Sequence, residues 1–325
     1  MKLILKTTLI LFLFLGFQSP RVAPNYFNIC VFNDSLRSNY KLIKVKYPNR
    51  INSGWYVSDS SHYLLKLDTL HQVQFWRSVM ALSPDSIFCY TLPNRHVICI
   101  DASKDFSALS TPEIKTYKNG LRTFYNIDTS IKIVHRSGLK HFYNFNAINS
   151  YLNAAILKYM ELGVDPWYAQ SILMIESPNF NQCSASGACG PFQLMPKVAR
   201  RFGLVVSKSK DERNEISRAA QASACLIKTI AIPQAHRILN LHGITTSQHT
   251  ETEYWFKLLV LHIYNAGAYN VEQALNTIQP KTGDLQMIFN LWHARAGQFQ
   301  NASQNYSQLA IAAWFELDQR IQLTN

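Results

Sequence analysis

Apolar residues from position 144 onward recur at three- and four-residue spacing, the pattern of helices that bury one face. Before that point, short β-branched and aromatic runs are separated by turn-forming residues, as is typical of strands. The pattern predicts a mainly α fold, with a small α+β N-terminal region before a helical region. Pro233 is expected to end a helical run that begins at residue 214. Predicted helices span 72–82, 145–162, 166–176, 197–202, 214–232, 251–265, 269–278, 284–292 and 305–317, and predicted strands span 40–47, 86–92, 96–101 and 131–134.

One carboxylate lies on an apolar face of a predicted helix. Asp165 is a suitable N-cap and Pro166 fits the first helical position, while Pro178 disfavours helical geometry in the residue before it. The helix should therefore end just past Glu176. Apolar neighbours and the negative end of the helix dipole both disfavour the ionised carboxyl, so we expect a raised pKa and a general acid. The alternative is an ordinary surface glutamate, solvated or ion-paired.

Two later segments accompany this helix end. A loop of small residues ends in Gly187-Ala188-Cys189-Gly190 and is followed by Gln193 and Met195-Pro196, where Pro196 can begin another helix. Tyr264-Asn265-Ala266-Gly267 ends a third helical run. Together with Glu176-Ser177, and in this order and spacing, these segments resemble the catalytic domain of the soluble-type lytic transglycosylases, which is lysozyme-like.

The resemblance covers residue 148 to the C terminus, and it continues in Asn305-Tyr306 before the last predicted helix. Two departures from the family's pattern stand out. The segment between Glu176 and Gly190 is one residue shorter than usual, which displaces Phe180, and Pro191-Phe192 replaces the more usual pair before Gln193. We expect residues 1–20 to be a signal peptide or anchor, 21–143 a small α+β region, and 144–325 a lysozyme-like catalytic domain.

The resemblance implies a peptidoglycan lytic transglycosylase. In that family one glutamate protonates the bridging oxygen between MurNAc and GlcNAc and then takes the proton from the sugar's own 6-hydroxyl, which leaves a 1,6-anhydroMurNAc end. Glu176 matches that glutamate, and no cofactor or metal is implied. The substrate's N-acetyl group is thought to stabilise charge at the anomeric carbon. The substrate-binding residues implied by the resemblance are Ser177, Gly190, Gln193, Met195, Tyr264 and Asn265. Phe192 is added as a surface on which a sugar ring could stack, with plain core packing as the alternative.

The helical region offers few candidates for a second catalytic carboxylate, and this favours the single-acid mechanism. Common glycosidases place two carboxylates around the scissile bond. Other acidic residues of the helical region lie at predicted helix starts, where the helix dipole explains them: Asp165, Asp211, Glu212, Glu215, Glu251 and Glu253. The alternatives are a lysozyme-type or chitinase-type hydrolase on the same fold, or a non-catalytic cell-wall-binding module.

The chain carries a net charge of +12 over 325 residues, which indicates an anionic partner. Its Lys and Arg residues are scattered and form no recognised nucleic-acid module, so we expect peptidoglycan glycan strands and no nucleic acid. Two N-terminal lysines precede an apolar stretch, 8–17, that is too short to span a bilayer comfortably. We read it as an export signal to the periplasm or cell envelope, or as a membrane tether through residues 3–17.

Six cysteines in an exported chain permit disulfides. The preferred pairs are Cys183 with Cys189, which flank a short loop, and Cys89 with Cys99, at the ends of the predicted hairpin. Cys225 is expected to be free. We predict no metal site, because neither a paired Cys-x-x-Cys nor a metal-ligand spacing of histidines is present.

Overall fold

The computed structural model describes residues 40–46, 53–102, 106–143, 145, 149–176, 183–300 and 302–322. The strands are β1 Tyr40–Lys46, β2 Ser53–Asp59, β3 Ser86–Leu92, β4 Val97–Ala102 and β5 Lys132–Ser137. The α-helices are α1 Ser61–Leu64, α2 His71–Ala81, α3 Thr111–Phe124, α4 Asn149–Glu161, α5 Pro166–Glu176, α6 Pro196–Arg201, α7 Ile216–Leu226, α8 Ile232–Leu241, α9 Tyr254–Ala266, α10 Ala268–Ile278, α11 Leu285–Leu291 and α12 Ala302–Gln322. The prediction of a mainly helical chain with small sheets is confirmed.

The strands form two small antiparallel sheets. β1 pairs with β2, and the second sheet has the order β4-β3-β5. The predicted hairpin between β3 and β4 is present. The short helix α1 and nearly all of α8 were not predicted. Also missed were β2, whose glycine and serines obscure a strand pattern, and α3, whose sequence is mostly polar. A capping box between Ser110 and Glu113 begins α3.

A single large hydrophobic core joins β2 and α2 to the helices. Tyr56 of β2 and Phe75 of α2 are buried in the same cluster as Leu173 of α5 and Trp314 of α12. A smaller cluster, which includes Ile87 and residues packed from α3, lies apart from it. The predicted boundary between residues 143 and 144 stays a prediction.

The helix that carries Glu176 is the most completely buried helix of this core. Every residue from Pro166 to Ile175 is buried. At its start, Asp165 accepts a hydrogen bond from the backbone N–H of Trp167 (2.8 Å), as a capping residue does, and pairs with the buried Lys257 at 2.7 Å. Each large apolar side chain buried here contributes about 1.5–3 kcal/mol, so the position of α5 is strongly fixed.

Strand β2 is attached to the middle of this helix by one side chain. Gln170 accepts a hydrogen bond from the N–H of Val57 and donates one to its carbonyl oxygen, both at 2.9 Å. On the opposite side, Trp314 of α12 donates to Ser171 Oγ at 2.9 Å. The buried side chains of Gln170 and Ser171 thus bond α5 to a strand near the start of the described chain and to its last helix.

Pro233 does not end the helical run, contrary to the prediction. α7 continues through a π-helical turn, Ile227–Ala231, into α8, and Pro233 lies in the first turn of α8. The missing N–H of the proline is tolerated there because α8 follows directly on the π-helical turn, where the regular α-helical hydrogen-bond pattern is already interrupted. None of the helices in the described ranges has both the length and the apolar character needed to cross a membrane. The predicted tether, residues 3–17, lies outside those ranges.

Candidate active site

Glu176 is the last residue of α5 and is partly exposed as a residue, whereas the ten residues before it are buried. Its Oε1 accepts a hydrogen bond of 2.8 Å from the Tyr306 hydroxyl. Burial raises the pKa of Glu176 from 4.5 to about 7, although the bond from Tyr306 acts in the opposite direction. The predicted rise in pKa is confirmed, and burial is its cause.

The surroundings of Glu176 are hydroxyl groups and not charges. Its negative charge contributes to raising the pKa of Tyr143, Tyr264 and Tyr306, so these three hydroxyls lie near the carboxyl and stay protonated. No lysine, arginine or histidine in the described part of the chain forms an ion pair with Glu176. The carboxyl therefore keeps a proton near neutral pH, which suits a general acid.

The loop after the predicted acid is tightly closed. The predicted disulfide between Cys183 and Cys189 is present. Cys189 and Leu194 exchange backbone hydrogen bonds of 3.2 and 3.0 Å, and Gln193 Nε2 donates to the carbonyl oxygen of Gly190 at 2.9 Å. Gly190 has a φ of +79°, and a Cβ there would lie 1.9 Å from a backbone oxygen. Only glycine fits this position, which makes Gly190 structural.

The backbone oxygen that excludes a side chain at Gly190 belongs to Arg213, a residue that the sequence analysis missed. The Arg213 guanidinium donates to the carbonyl oxygens of Gly187 (2.7 Å) and Leu194 (2.9 Å). It also pairs with Asp211 at 2.6 Å, which lowers the pKa of that carboxyl. Asp211 therefore holds the arginine that bonds the loop, in addition to its place at a helix start. Nothing in the sequence spacing indicated the pairing of Asp211 with Arg213.

Tyr264 contacts the loop and not the acid. Its hydroxyl donates to the carbonyl oxygen of Phe192 at 2.7 Å and accepts from Ser223 Oγ at 3.1 Å. Ser223 in turn bonds the Tyr159 hydroxyl at 2.7 Å. The Phe192 ring is fully buried and stacks on Tyr159, with centroids 5.9 Å apart. The expectation that Phe192 offers a surface to a sugar is therefore wrong for its ring, because core packing consumes it.

The remaining predicted residues differ in exposure. Asn265 and Met195 are exposed, Gln193 is partly exposed, and Ser177 lies outside the described residues. The structure thus brings Glu176, Tyr264 and the loop that contains Gln193 to one neighbourhood. It adds Tyr306, which the resemblance pointed to only as part of a helix and which makes the direct contact with the acid.

The predicted disulfide between Cys89 and Cys99 is not formed, and both residues are free thiols. They face each other across β3 and β4, and a hydrogen bond from the Cys89 thiol lowers the pKa of Cys99. The Cys99 sulfur also lies 3.4 Å from the Tyr117 hydroxyl and 3.6 Å from Asp101 Oδ2. The two thiols thus make polar contacts, and the predicted disulfide between them is absent. Cys225 is free, as predicted.

Within the described ranges, no three His, Cys, Asp or Glu side chains come together as they would to hold a metal ion. No protein-family model matches the sequence, and the comparison with curated proteins finds no match. The geometry around Glu176 is therefore the main support for a functional interpretation.

Proposed function

We propose that this protein is a lytic transglycosylase with a lysozyme-like catalytic domain over residues 144–325. It cleaves the β-1,4 bond between MurNAc and GlcNAc in peptidoglycan and forms 1,6-anhydroMurNAc ends. One observation carries the proposal: Glu176 ends a buried helix, burial raises the pKa of its carboxyl to about 7, and that carboxyl accepts a hydrogen bond from the Tyr306 hydroxyl.

In the proposed reaction Glu176 acts first as an acid and then as a base. Its proton moves to the bridging oxygen as the bond to the anomeric carbon breaks, and GlcNAc leaves with a new hydroxyl. The 6-hydroxyl oxygen of MurNAc attacks the same carbon, and its proton passes to Glu176, which restores the acid without water. A pKa near 7 suits both transfers, because neither form is strongly favoured at neutral pH. The Tyr306 bond stabilises the carboxylate between them.

The charge of the chain supports an acidic wall polymer as its partner. A net charge of +12 attracts glycan strands that carry carboxylates. We propose export to the periplasm or cell envelope, where this polymer lies. Gln193, Met195, Tyr264 and Asn265 stay proposed substrate-side residues, of which Tyr264 acts through its bond to the loop.

Mass spectrometry of muropeptides released from purified sacculi tests the proposal. We expect the wild type to release anhydro ends, and Glu176→Gln to lower the rate by at least about 100-fold, because the acid is lost. Glu161→Gln is a matched control, since Glu161 is an exposed glutamate that pairs only with Lys158 among described residues. Reducing ends would indicate a hydrolase, and binding without cleavage by the wild type would indicate a wall-binding module.

A further inference from the structure

Two arginines from the N-terminal region contact the same tryptophan ring. The guanidinium carbons of Arg95 and Arg136 lie 5.0 and 5.1 Å from the centroid of Trp76. Arg95 follows the turn between β3 and β4, and Arg136 lies in β5. Arg95 is also 4.9 Å from the ring of Phe75. The aromatic rings fix both positive charges in place, because cation–π contacts favour this arrangement.

Neither guanidinium forms an ion pair with a residue that the structure describes. In contrast, Arg77 pairs with Glu316 and Arg213 pairs with Asp211. The Nε of Arg136 is buried and has no hydrogen-bond partner. Burial and the nearby charge of Arg136 both lower the pKa of Arg95. Two adjacent, partly desolvated cations are costly, and an anion that binds both would remove that cost.

One member of the arginine pair contacts the chain neighbour of the residue that bonds the proposed acid. Arg95 Nη2 donates to Asn305 Oδ1 at 2.5 Å, and the next residue, Tyr306, is the one that bonds Glu176. Arg136 and Glu176 both act on Tyr143: the first charge lowers its pKa and the second raises it. Arg136 is therefore within electrostatic reach of the same hydroxyl group as the acid.

We propose that Arg95 and Arg136 form a carboxylate-binding subsite, adjoining Asn305, that holds an acidic group of the glycan substrate while Glu176 acts on the glycosidic bond. The proposal rests on the proposed function, since it names the part of that substrate that the N-terminal region recognises. Planar guanidinium groups suit carboxylates, which they bind through two parallel hydrogen bonds. Peptidoglycan offers such groups on its peptides, and on the MurNAc lactyl group where the peptide has been removed.

Binding in a cleavage-deficient background tests the subsite. We expect Glu176→Gln protein to cosediment with native sacculi, and the added changes Arg95→Gln and Arg136→Gln to weaken this binding roughly tenfold or more, because charge-assisted hydrogen bonds are lost. The control is Lys115→Gln with Arg122→Gln on α3, which removes the same two charges away from the arginine pair and should weaken binding less. On sacculi whose carboxyls have been amidated, the arginine variants should bind as the parent does.

Equal weakening on native and amidated sacculi, or no more weakening than in the control, would overturn the subsite. Thermal unfolding verifies that each variant is folded. Arg95→Lys with Arg136→Lys, which keeps both charges without the planar fork, should weaken binding to native sacculi only. A difference that persists on peptide-free strands assigns the lactyl carboxylate, and one that disappears there assigns the peptide.

The two proposals can fail separately. If the wild type does not cut sacculi but binding still depends on the arginines, the proposed function is wrong and the subsite stands. If the wild type produces anhydro ends while the arginine variants bind and cut native and amidated sacculi like the parent, the subsite is wrong and the proposed function stands.

Discussion

The C-terminal end of α9 and the first turns of α12 each bring a tyrosine to the Glu176 site, but the two tyrosines form different contacts. Tyr264 bonds the backbone of Phe192 and the hydroxyl of Ser223, so it fixes the loop. Tyr306 donates directly to the acid. Both tyrosines lie in segments that the resemblance covers, but the one to which it gave no role, Tyr306, is the one that contacts the acid. A motif can mark a neighbourhood without containing every contact within it.

The largest expected effect is on the free energy of unfolding, and it comes from the Glu176 carboxyl, near which both tyrosines lie. The pKa of Glu176 is raised from 4.5 to about 7 on folding, so the folded protein binds a proton more tightly than the unfolded chain does. The contribution of Glu176 to stability should therefore fall as pH rises from about 4.5 to 7. Glu176→Gln removes this penalty and should be more stable than the wild type by up to about 3 kcal/mol at pH 8, with little difference at pH 4.

Urea unfolding of wild type and Glu176→Gln at both pH values measures this difference. Glu161→Gln, with its exposed carboxyl, should show no such pH dependence. Equal stability of wild type and Glu176→Gln at pH 8 would mean that the carboxyl is well solvated, and the raised pKa would then be wrong.

Tyr306→Phe should give the next largest effect, because it removes the bond that lowers the pKa of Glu176. We expect that pKa to rise by roughly one unit, or about 1.4 kcal/mol, when a hydrogen bond to the carboxylate is lost. The acid must be protonated at the start of the reaction, so kcat/KM falls when pH rises above its pKa. In Tyr306→Phe this fall should occur at a higher pH than in the wild type. A pH-rate profile on soluble glycan strands measures the shift, and an unmoved alkaline limb would contradict it.

Tyr264→Phe should have the smallest effect and a different character. It leaves the carbonyl oxygen of Phe192 without its donor and should cost about 1 kcal/mol of stability. The pH-rate profile should not move, since Tyr264 does not bond the acid. Thermal unfolding and the same profile measure both. If Tyr264→Phe moved the alkaline limb as Tyr306→Phe does, the claim that only Tyr306 acts on the acid would be wrong.

Sequence patterns predicted the parts of this molecule that depend on local order. The apolar spacing around Leu173 located α5 to the residue, and its end at Glu176 led to the raised pKa. α2 and β3 also lie where their patterns placed them, to within one residue. Strand β2 and helix α3 were missed because glycine, serine and charged residues obscure their periodicity, and tertiary packing decides such cases.

Contacts between residues distant in the chain were beyond those patterns. Arg213 reaches the carbonyl oxygens of a loop some twenty residues earlier, and Tyr306 reaches an acid 130 positions away. Cys89 and Cys99 have the predicted cross-strand placement but remain thiols, and Tyr117, from a helix that the pattern did not show, lies beside Cys99. Spacing predicts which residues lie on the same side of a helix or strand. Which residues they contact there is decided only by the tertiary structure.

The two hydrogen bonds between Gln170 and Val57 have a consequence for how this fold comes apart. Because one amide group satisfies both the N–H and the carbonyl of a single residue, β2 cannot slide along α5 by even one position without losing both bonds at once. Strand and helix are therefore locked in register. Fluctuations that free residues 53–59 must detach them outright, and the helix that ends in Glu176 would lose its cover in the same event.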